Sequence, residues 1–266
     1  MSSSIVPFTQ SHIDHLNEKL SELHPTKVLE WAIVTFPNLY QTTAFGLSGL
    51  VITDMISKIH REKTSNNEAP HPVPLIFVDT LYHFDETLDL TKKVQTKYNT
   101  ALHIYKPLDS DNTSTFEQLY GERLWQTNPD QYDYLVKVEP ARRAYDELGV
   151  AAVISGRRRS QKGDRANIPI IEIESGTGLV KLNPLANWSF KDVKSYIDIY
   201  EVPYNALLDQ GYLSVGDVHS TQPASDPNDE RSGRWAGSAK TECGLHKDYF
   251  KMKAQFEASK VKVESS

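Results

Sequence analysis

Leu39–Tyr40–Gln41–Thr42–Thr43–Ala44–Phe45–Gly46–Leu47–Ser48–Gly49 is a β-branched and aromatic run that breaks into a glycine turn. Leu50, Val51, Ile52, Met55, Ile56 and Ile59 follow it at helical spacing. The first half predicts a strand over Leu39–Phe45 and the apolar stripe an amphipathic helix. Strand, glycine turn and helix in that order open a βα unit, the building block of parallel sheets.

Outward from this unit the alternation continues. Pro72–Asp79 is apolar almost throughout, as expected of a strand buried on both faces. Ala101–Tyr105 and Val150–Ser155 read as further strands, and Ile168–Glu174 and Leu179–Leu182 as two more near the edge of the sheet. Between them Glu86–Tyr98, Phe116–Trp125, Pro140–Leu148 and Ser189–Tyr200 read as helices, with Asp109–Thr115 a polar loop. Ahead of the first strand lie two amphipathic helices. Ser11–Leu23 has Ser11 as its cap and Asp14 in capping-box position, and Thr26–Phe36 stops near Pro37. The pattern predicts an α/β fold with a doubly wound, mostly parallel sheet. Ligands in such sheets sit beyond the carboxyl ends of the strands, which directs attention to the loops after the first, second and fourth. Asp217–Gly237, rich in Ser, Thr, Asp, Pro and Gly, reads as a long loop, and Tyr249–Phe256 as a turn or two of helix before a frayed end.

The chain has 266 residues, 39% of them apolar and 24% charged, which suits a globular protein with a substantial core. A net charge of −6 argues against a general nucleic-acid or membrane-surface binder, so any anion site is local. Met1–Gln10 lacks the basic flank and apolar run of a signal peptide, and no apolar run approaches the roughly 20 residues of a membrane span. A cytoplasmic location is expected.

Four stretches carry chemistry. Thr42–Gly49 offers free N–H groups and hydroxyls at a helix N-terminus, which is either a phosphate cradle or a plain βα turn; the Gly-Lys-[Ser/Thr] ending of a Walker loop is absent. Asp79 and Thr80 end the second strand, where a carboxylate holds a ribose or an amine, or merely forms a turn, and Glu86 fits a helix start. Ser155–Gly156–Arg157–Arg158–Arg159–Ser160–Gln161–Lys162, with Arg165 beyond, follows the fourth strand. Its guanidinium forks match phosphate and sulfate; the alternative is a solvated basic loop. The fourth stretch holds Arg231, Arg234 and Trp235 ahead of Cys243, the only cysteine. One thiol closes no internal disulfide and cannot by itself hold a zinc or an iron–sulfur cluster. A lone Cys is by default a small buried hydrophobe. Here Lys240, Thr241 and Glu242 precede it, Gly244 follows and His246 stands three residues on, a setting that favours a thiolate nucleophile.

These stretches together resemble the phosphoadenylyl-sulfate (PAPS) reductase family from about Trp31 to His246. The Glu-Cys-Gly-Leu-His ending at Glu242–His246 is the most specific mark. Thr43–Gly49 is similar to the family's modified pyrophosphate-loop motif, Val78–Thr87 to its second motif and Ser155–Gln161 to its arginine motif; Lys137–Pro140 and Gly211–Asp217 also fit. Leu81 stands where the second motif often has Gly.

The resemblance implies an adenine nucleotide α-hydrolase-like fold: an N-terminal helical arm over 1–25, a nucleotide-binding α/β domain over 26–205 and an active-site tail over 206–266. It implies Cys243 as nucleophile, with Tyr212 and His246 as catalytic partners. Substrate-binding roles fall on Thr43, Phe45, Gly46, Ser48, Gly49, Asp79, Thr80, Lys137, Gly156, Arg157, Arg158, Gln161 and Arg234. A sister group uses APS and holds a four-iron cluster on two cysteine pairs; those positions here are Tyr132, Asp133, Asp217 and Ser220. The resemblance thus points to the PAPS-using branch, with no cluster, no metal, thioredoxin as co-substrate and a homodimer. The need for an external dithiol follows already from the cysteine count. Two other readings are an adenylyl-transferring enzyme using ATP and Mg²⁺, and a nucleotide-binding regulator without turnover.

Overall fold

The computed structural model describes residues 8–63, 71–174, 176–235, 242 and 249–264. α1 (Gln10–Ser21) begins one residue before the predicted cap, because the Thr9 side chain accepts the His12 N–H at 3.2 Å. α2 (Pro25–Thr35) opens on Pro25, whose missing N–H costs nothing in a first turn. β1 (Leu39–Thr42) is shorter than predicted. Phe45 adopts a φ of 56°, and its N–H turns back to Thr43 Oγ1 at 2.9 Å, so the turn starts at Thr43 and α3 (Leu47–Lys63) follows at once.

β2 (Leu75–Val78), α4 (Asp85–Tyr98) and β3 (Leu102–Tyr105) complete the first half, with Asp85 and Glu86 in the first turn of α4 as the helix dipole favours. Asn112 forms a capping box with Thr115, so α5 (Thr113–Tyr120) begins inside the predicted loop and stops at Gly121, φ 91°. The predicted helix to Trp125 is therefore two, the second being α6 (Leu124–Thr127). α7 (Pro129–Asp133) runs through a π-helical turn, Tyr134–Val138, into α8 (Glu139–Glu147). Pro140 has no N–H for Val136, and its ring crowds that carbonyl, which accounts for the loosened ladder. β4 (Ala152–Ile154), β5 (Ile171–Ile173), β6 (Val180–Leu182), α9 (Phe190–Tyr200) and α10 (Tyr249–Glu264) complete the chain, α10 extending past the predicted end.

The six strands lie in the order β3-β2-β1-β4-β6-β5, and every neighbouring pair is parallel except β5–β6. Glu172 stands opposite Lys181 in that antiparallel pair. The six residues between its strands can turn a hairpin but leave no room for a crossover helix. This also places β6 inside the sheet, with β5 alone on the edge. There Asn17 of α1 imitates a strand, donating to Ile171 O at 2.9 Å and accepting Ile171 N–H at 3.0 Å. Covering an edge residue in this way is one means by which a sheet discourages pairing with another strand.

The main core joins both faces of the sheet through Val51, Ile56, Leu75, Ile154 and Val193, with Ile13 and Leu20 of α1 included. A second cluster of Tyr82, Phe116, Tyr132, Val136 and Met252 builds up around the loop after β2 and anchors α10. The polar segment after Gly216 is irregular, as its composition predicts. It is nonetheless pinned, by a bridge of Asp217 to His83 and one of Thr221 to Arg234. Among the described residues no helix is long and apolar enough to cross a membrane.

Candidate active site

The loops after β1 and β4 meet because their strands are neighbours. A Cβ on Gly156 would stand 3.0 Å from Gly49 N, and one on Gly49 would stand 2.7 Å from Thr43 Oγ1. Both glycines are required by close approach; Gly46 faces open space. Phe45 packs edge-on against Phe77 of β2, 5.3 Å between centroids, which ties the turn to the next strand.

Arg158 joins the two loops. Its guanidinium is buried, with 1% of the side chain exposed. Nε donates to Ser48 Oγ at 2.8 Å, Nη1 to Ser160 Oγ at 2.8 Å and to Trp188 O at 3.5 Å, and Nη2 to both oxygens of Glu230 at 2.7 and 2.5 Å. Burial lowers its pKa, and the Glu230 carboxylate works against that fall. Gln161 accepts the Arg158 N–H at 3.1 Å and Arg165 Nη1 at 2.7 Å. Arg165 in turn holds Glu242 at 2.6 and 2.5 Å, and Arg231 reaches the same carboxylate at 3.4 Å. Ser48, Arg158, Gln161, Arg165 and Glu242 thus form one polar chain from the glycine turn to the residue before Cys243.

Other cations of the arginine motif face elsewhere. Arg157 pairs with Glu172 on β5, and Arg159 donates to Ile168 O at 2.9 Å and to Asn187, bracing the loop. Arg234 lies across Gly216, where a Cβ would fall 2.2 Å from Nη2, and donates to Val215 O at 3.2 Å. It stacks on Trp235 at 4.5 Å.

A second polar cluster lies behind the loop after β2. Thr80 Oγ1 donates to Asp217 Oδ1 at 2.7 Å, while Lys137 Nζ stands 2.7 Å from Asp217 Oδ2 and 3.4 Å from Asp133 Oδ1. Tyr132 OH donates to Asp217 at 3.3 Å and meets His219 Nε2 at 2.9 Å, and His219 stacks on Trp125 at 4.1 Å. Burial by itself would raise the Asp217 pKa, but the Lys137 and His83 charges and the bonds from Lys137 and Thr80 outweigh it and hold the carboxyl well below its ordinary range. Burial pushes the Tyr132 hydroxyl far up, helped by the Asp217 charge. Asp79 Oδ1 accepts the Leu81 N–H at 2.9 Å. Leu81 itself has a φ of 70°, the left-handed conformation that glycine adopts without penalty, which is why glycine is suited to that place in the motif.

Thr43, Phe45, Gly46, Ser48, Gly49, Gly156, Arg158 and Gln161 therefore lie together, and Asp79, Thr80 and Lys137 sit in or beside the second cluster. Tyr212 packs edge-on against Phe84 at 5.7 Å. Cys243 and His246 lie outside the described residues. Sequence reading assigned no role to Asp133, Asp217, Glu230 or Glu242; the partners of the last three lie in other segments, Asp217 being 80 positions from Lys137, whereas Asp133 stands one helical turn before Lys137 and was legible by spacing. Among the described residues no group of three or more His, Cys, Asp or Glu side chains is arranged to hold a metal ion. An open cleft of about 1010 Å³ beyond β3, lined by Lys106, Leu108, Arg143 and Glu147 among others, contains none of the candidate residues.

Comparison with known proteins fits this geometry. Residues 38–223 match the family model of the phosphoadenosine phosphosulfate reductase domain. A Schizosaccharomyces pombe protein described as a probable phosphoadenosine phosphosulfate reductase is 50% identical over 260 residues, 97% of this chain and 93% of that one. The crystal structure of phosphoadenylyl-sulfate (PAPS) reductase from Candida auris, a phosphate complex, is 56% identical with a TM-score of 0.71, covering 80% of this chain and 98% of that one. Yeast FAD synthetase, at 15% identity and a TM-score of 0.56 over 82% of this chain and 70% of its own, shares the fold alone. The chain belongs to the phosphoadenosine phosphosulfate reductase family, with the mostly parallel, adenine nucleotide α-hydrolase-like sheet that its own strand order displays.

Proposed function

We propose that this chain reduces 3′-phosphoadenylyl sulfate to sulfite and adenosine 3′,5′-bisphosphate in sulfate assimilation, with thioredoxin as reductant and no bound cofactor. The observation that supports the reading is Arg158, buried against Ser48 where the glycine turn meets the arginine loop, bonded to Glu230 and linked through Gln161 and Arg165 to Glu242. A guanidinium of the kind that binds phosphate and the residue before Cys243 are thereby parts of one polar chain.

The Cys243 thiolate attacks the sulfur of the sulfo group. The bond from that sulfur to the bridging oxygen breaks, and the oxygen leaves on adenosine 3′,5′-bisphosphate. Cys243 is left as an S-sulfocysteine. A thiolate of thioredoxin attacks Sγ of Cys243, the S–S bond breaks and sulfite departs with the electron pair. The second thioredoxin thiol then resolves the mixed disulfide, so the dithiol supplies both electrons. Tuning the nucleophile adds little. Lowering a thiol pKa from about 8.5 to about 6.5 raises the thiolate fraction at pH 7 roughly 25-fold. The accompanying loss of nucleophilicity, about 6- to 10-fold, cancels most of that gain. Rate then comes from placing the thiol and from cations that neutralise the substrate, the roles assigned to Arg158, Arg234, Lys137 and His246. A cytoplasmic homodimer completes the reading.

Mass spectrometry after PAPS alone tests it: a sulfonate adduct on Cys243 is expected. Sulfite release with PAPS and reduced thioredoxin should vanish in Cys243→Ser; turnover like wild type in that variant would overturn the mechanism.

A further inference from the structure

A guanidinium has five N–H donors. Each nitrogen of the Arg158 guanidinium is engaged: Nε on Ser48, Nη1 on Ser160 and Trp188 O, and Nη2 on both oxygens of Glu230. With 1% of the Arg158 side chain and 9% of that of Glu230 exposed, no surface is left on which a phosphate could dock beside the pair. Ser48 and Trp188 belong to the frame of the fold. Glu230 does not: it sits in the irregular segment after Asp226, between the turn Asp226–Asp229 and the Thr221–Arg234 bridge. Of the partners of Arg158 it is the anion, and its two oxygens converge on Nη2 at 2.7 and 2.5 Å, a charge-assisted contact of the kind that phosphate oxygens make with a guanidinium.

We propose that Glu230 is an internal stand-in for a substrate phosphate: its carboxylate occupies the anion position on Arg158, and substrate binds by taking its place. The inference rests on the reading above that Arg158 meets a phosphate. It makes Glu230 a specificity-determining residue. A ligand wins the position only by bringing at least the charge and paired oxygens of a carboxylate, so a neutral or singly hydrogen-bonding group is refused. Glu242 also holds a cation of the same loop, there as a fork on Nε and Nη2 of Arg165.

The test is the affinity of adenosine 3′,5′-bisphosphate measured by calorimetry on the full chain. Glu230→Gln removes the competing charge and leaves one carbonyl acceptor, so affinity should rise roughly tenfold. Glu230→Asp, which keeps the charge but shortens the reach, should give a smaller rise and serves if the Gln variant does not fold. In an Arg158→Met background the Glu230→Gln effect should disappear. Unchanged or weakened binding in Glu230→Gln would overturn the proposal, since a residue that merely orients Arg158 lowers affinity when lost. So would a gain that persists without Arg158. If Arg158→Met alone left affinity unchanged, the fault would lie in the underlying reading of Arg158 instead.

Discussion

Lys137 Nζ and Asp217 Oδ2 are 2.7 Å apart in the interior, and this pair joins the π-helical turn before α8 to the loop that leads into the tail. Both side chains are buried, Asp217 almost wholly, and Thr80 and Tyr132 complete the carboxylate's hydrogen bonds. Removing Asp217 takes one of two carboxylates from Lys137, Asp133 remaining 3.4 Å away, so the cost falls at the low end for breaking a buried pair, about 3 kcal/mol. Asp217→Asn should lose that much in chemical denaturation at neutral pH. The folded carboxyl titrates well below the unfolded value of about 3.9, so its contribution is complete above that value and is lost as pH falls below it. The gap between wild type and variant should therefore narrow in acid; a constant gap would contradict the assignment.

Gly49 and Gly46 predict opposite outcomes from the same substitution. Gly49→Ala drives a Cβ to 2.7 Å from Thr43 Oγ1 and should cost about 1–3 kcal/mol together with loss of nucleotide affinity. Gly46→Ala meets no protein atom within 4 Å and should leave the melting temperature unchanged. Thermal melts and adenosine 3′,5′-bisphosphate titrations on both variants check the pair.

Gly216 makes room for Arg234. In Gly216→Ala the guanidinium must leave, because the new Cβ would lie 2.2 Å from Nη2. It gives up its bonds to Ser214 and Val215, modest interactions of about 0.5–1.5 kcal/mol each. If Arg234 meets a phosphate, affinity should fall on the order of tenfold. Unchanged affinity would remove Arg234 from the site.

Asn17 seals the edge of the sheet with two hydrogen bonds to Ile171. Asn17→Ala leaves both main-chain groups without that partner, and a loss of about 1–3 kcal/mol is expected. Hydrogen exchange at the Ile171 amide should quicken more than at Val153 in the middle of the sheet.

Much of the fold is legible along the chain because its signals are local. The β1 run and the apolar β2 run announce buried strands, and the alternation with helices implies parallel pairing. Boundaries slipped where backbone geometry overrode composition, at Phe45 with its positive φ and at Asn112 with its capping box. The antiparallel β5 is set by the length of one connection, and composition carries no trace of that.

The sequence by itself determined which chemistry is available: a single thiol, a glycine turn, a cluster of arginines, and the family to which their motifs belong. Tertiary structure alone decided how the charges are spent. It set Arg157 on Glu172, Arg158 on Glu230, Arg165 on Glu242 and Lys137 on Asp217. Spacing in a chain governs the neighbours within a turn or a strand, whereas a buried charge takes whichever opposite charge the packing brings to it, and for Arg158 that partner lies 72 residues away.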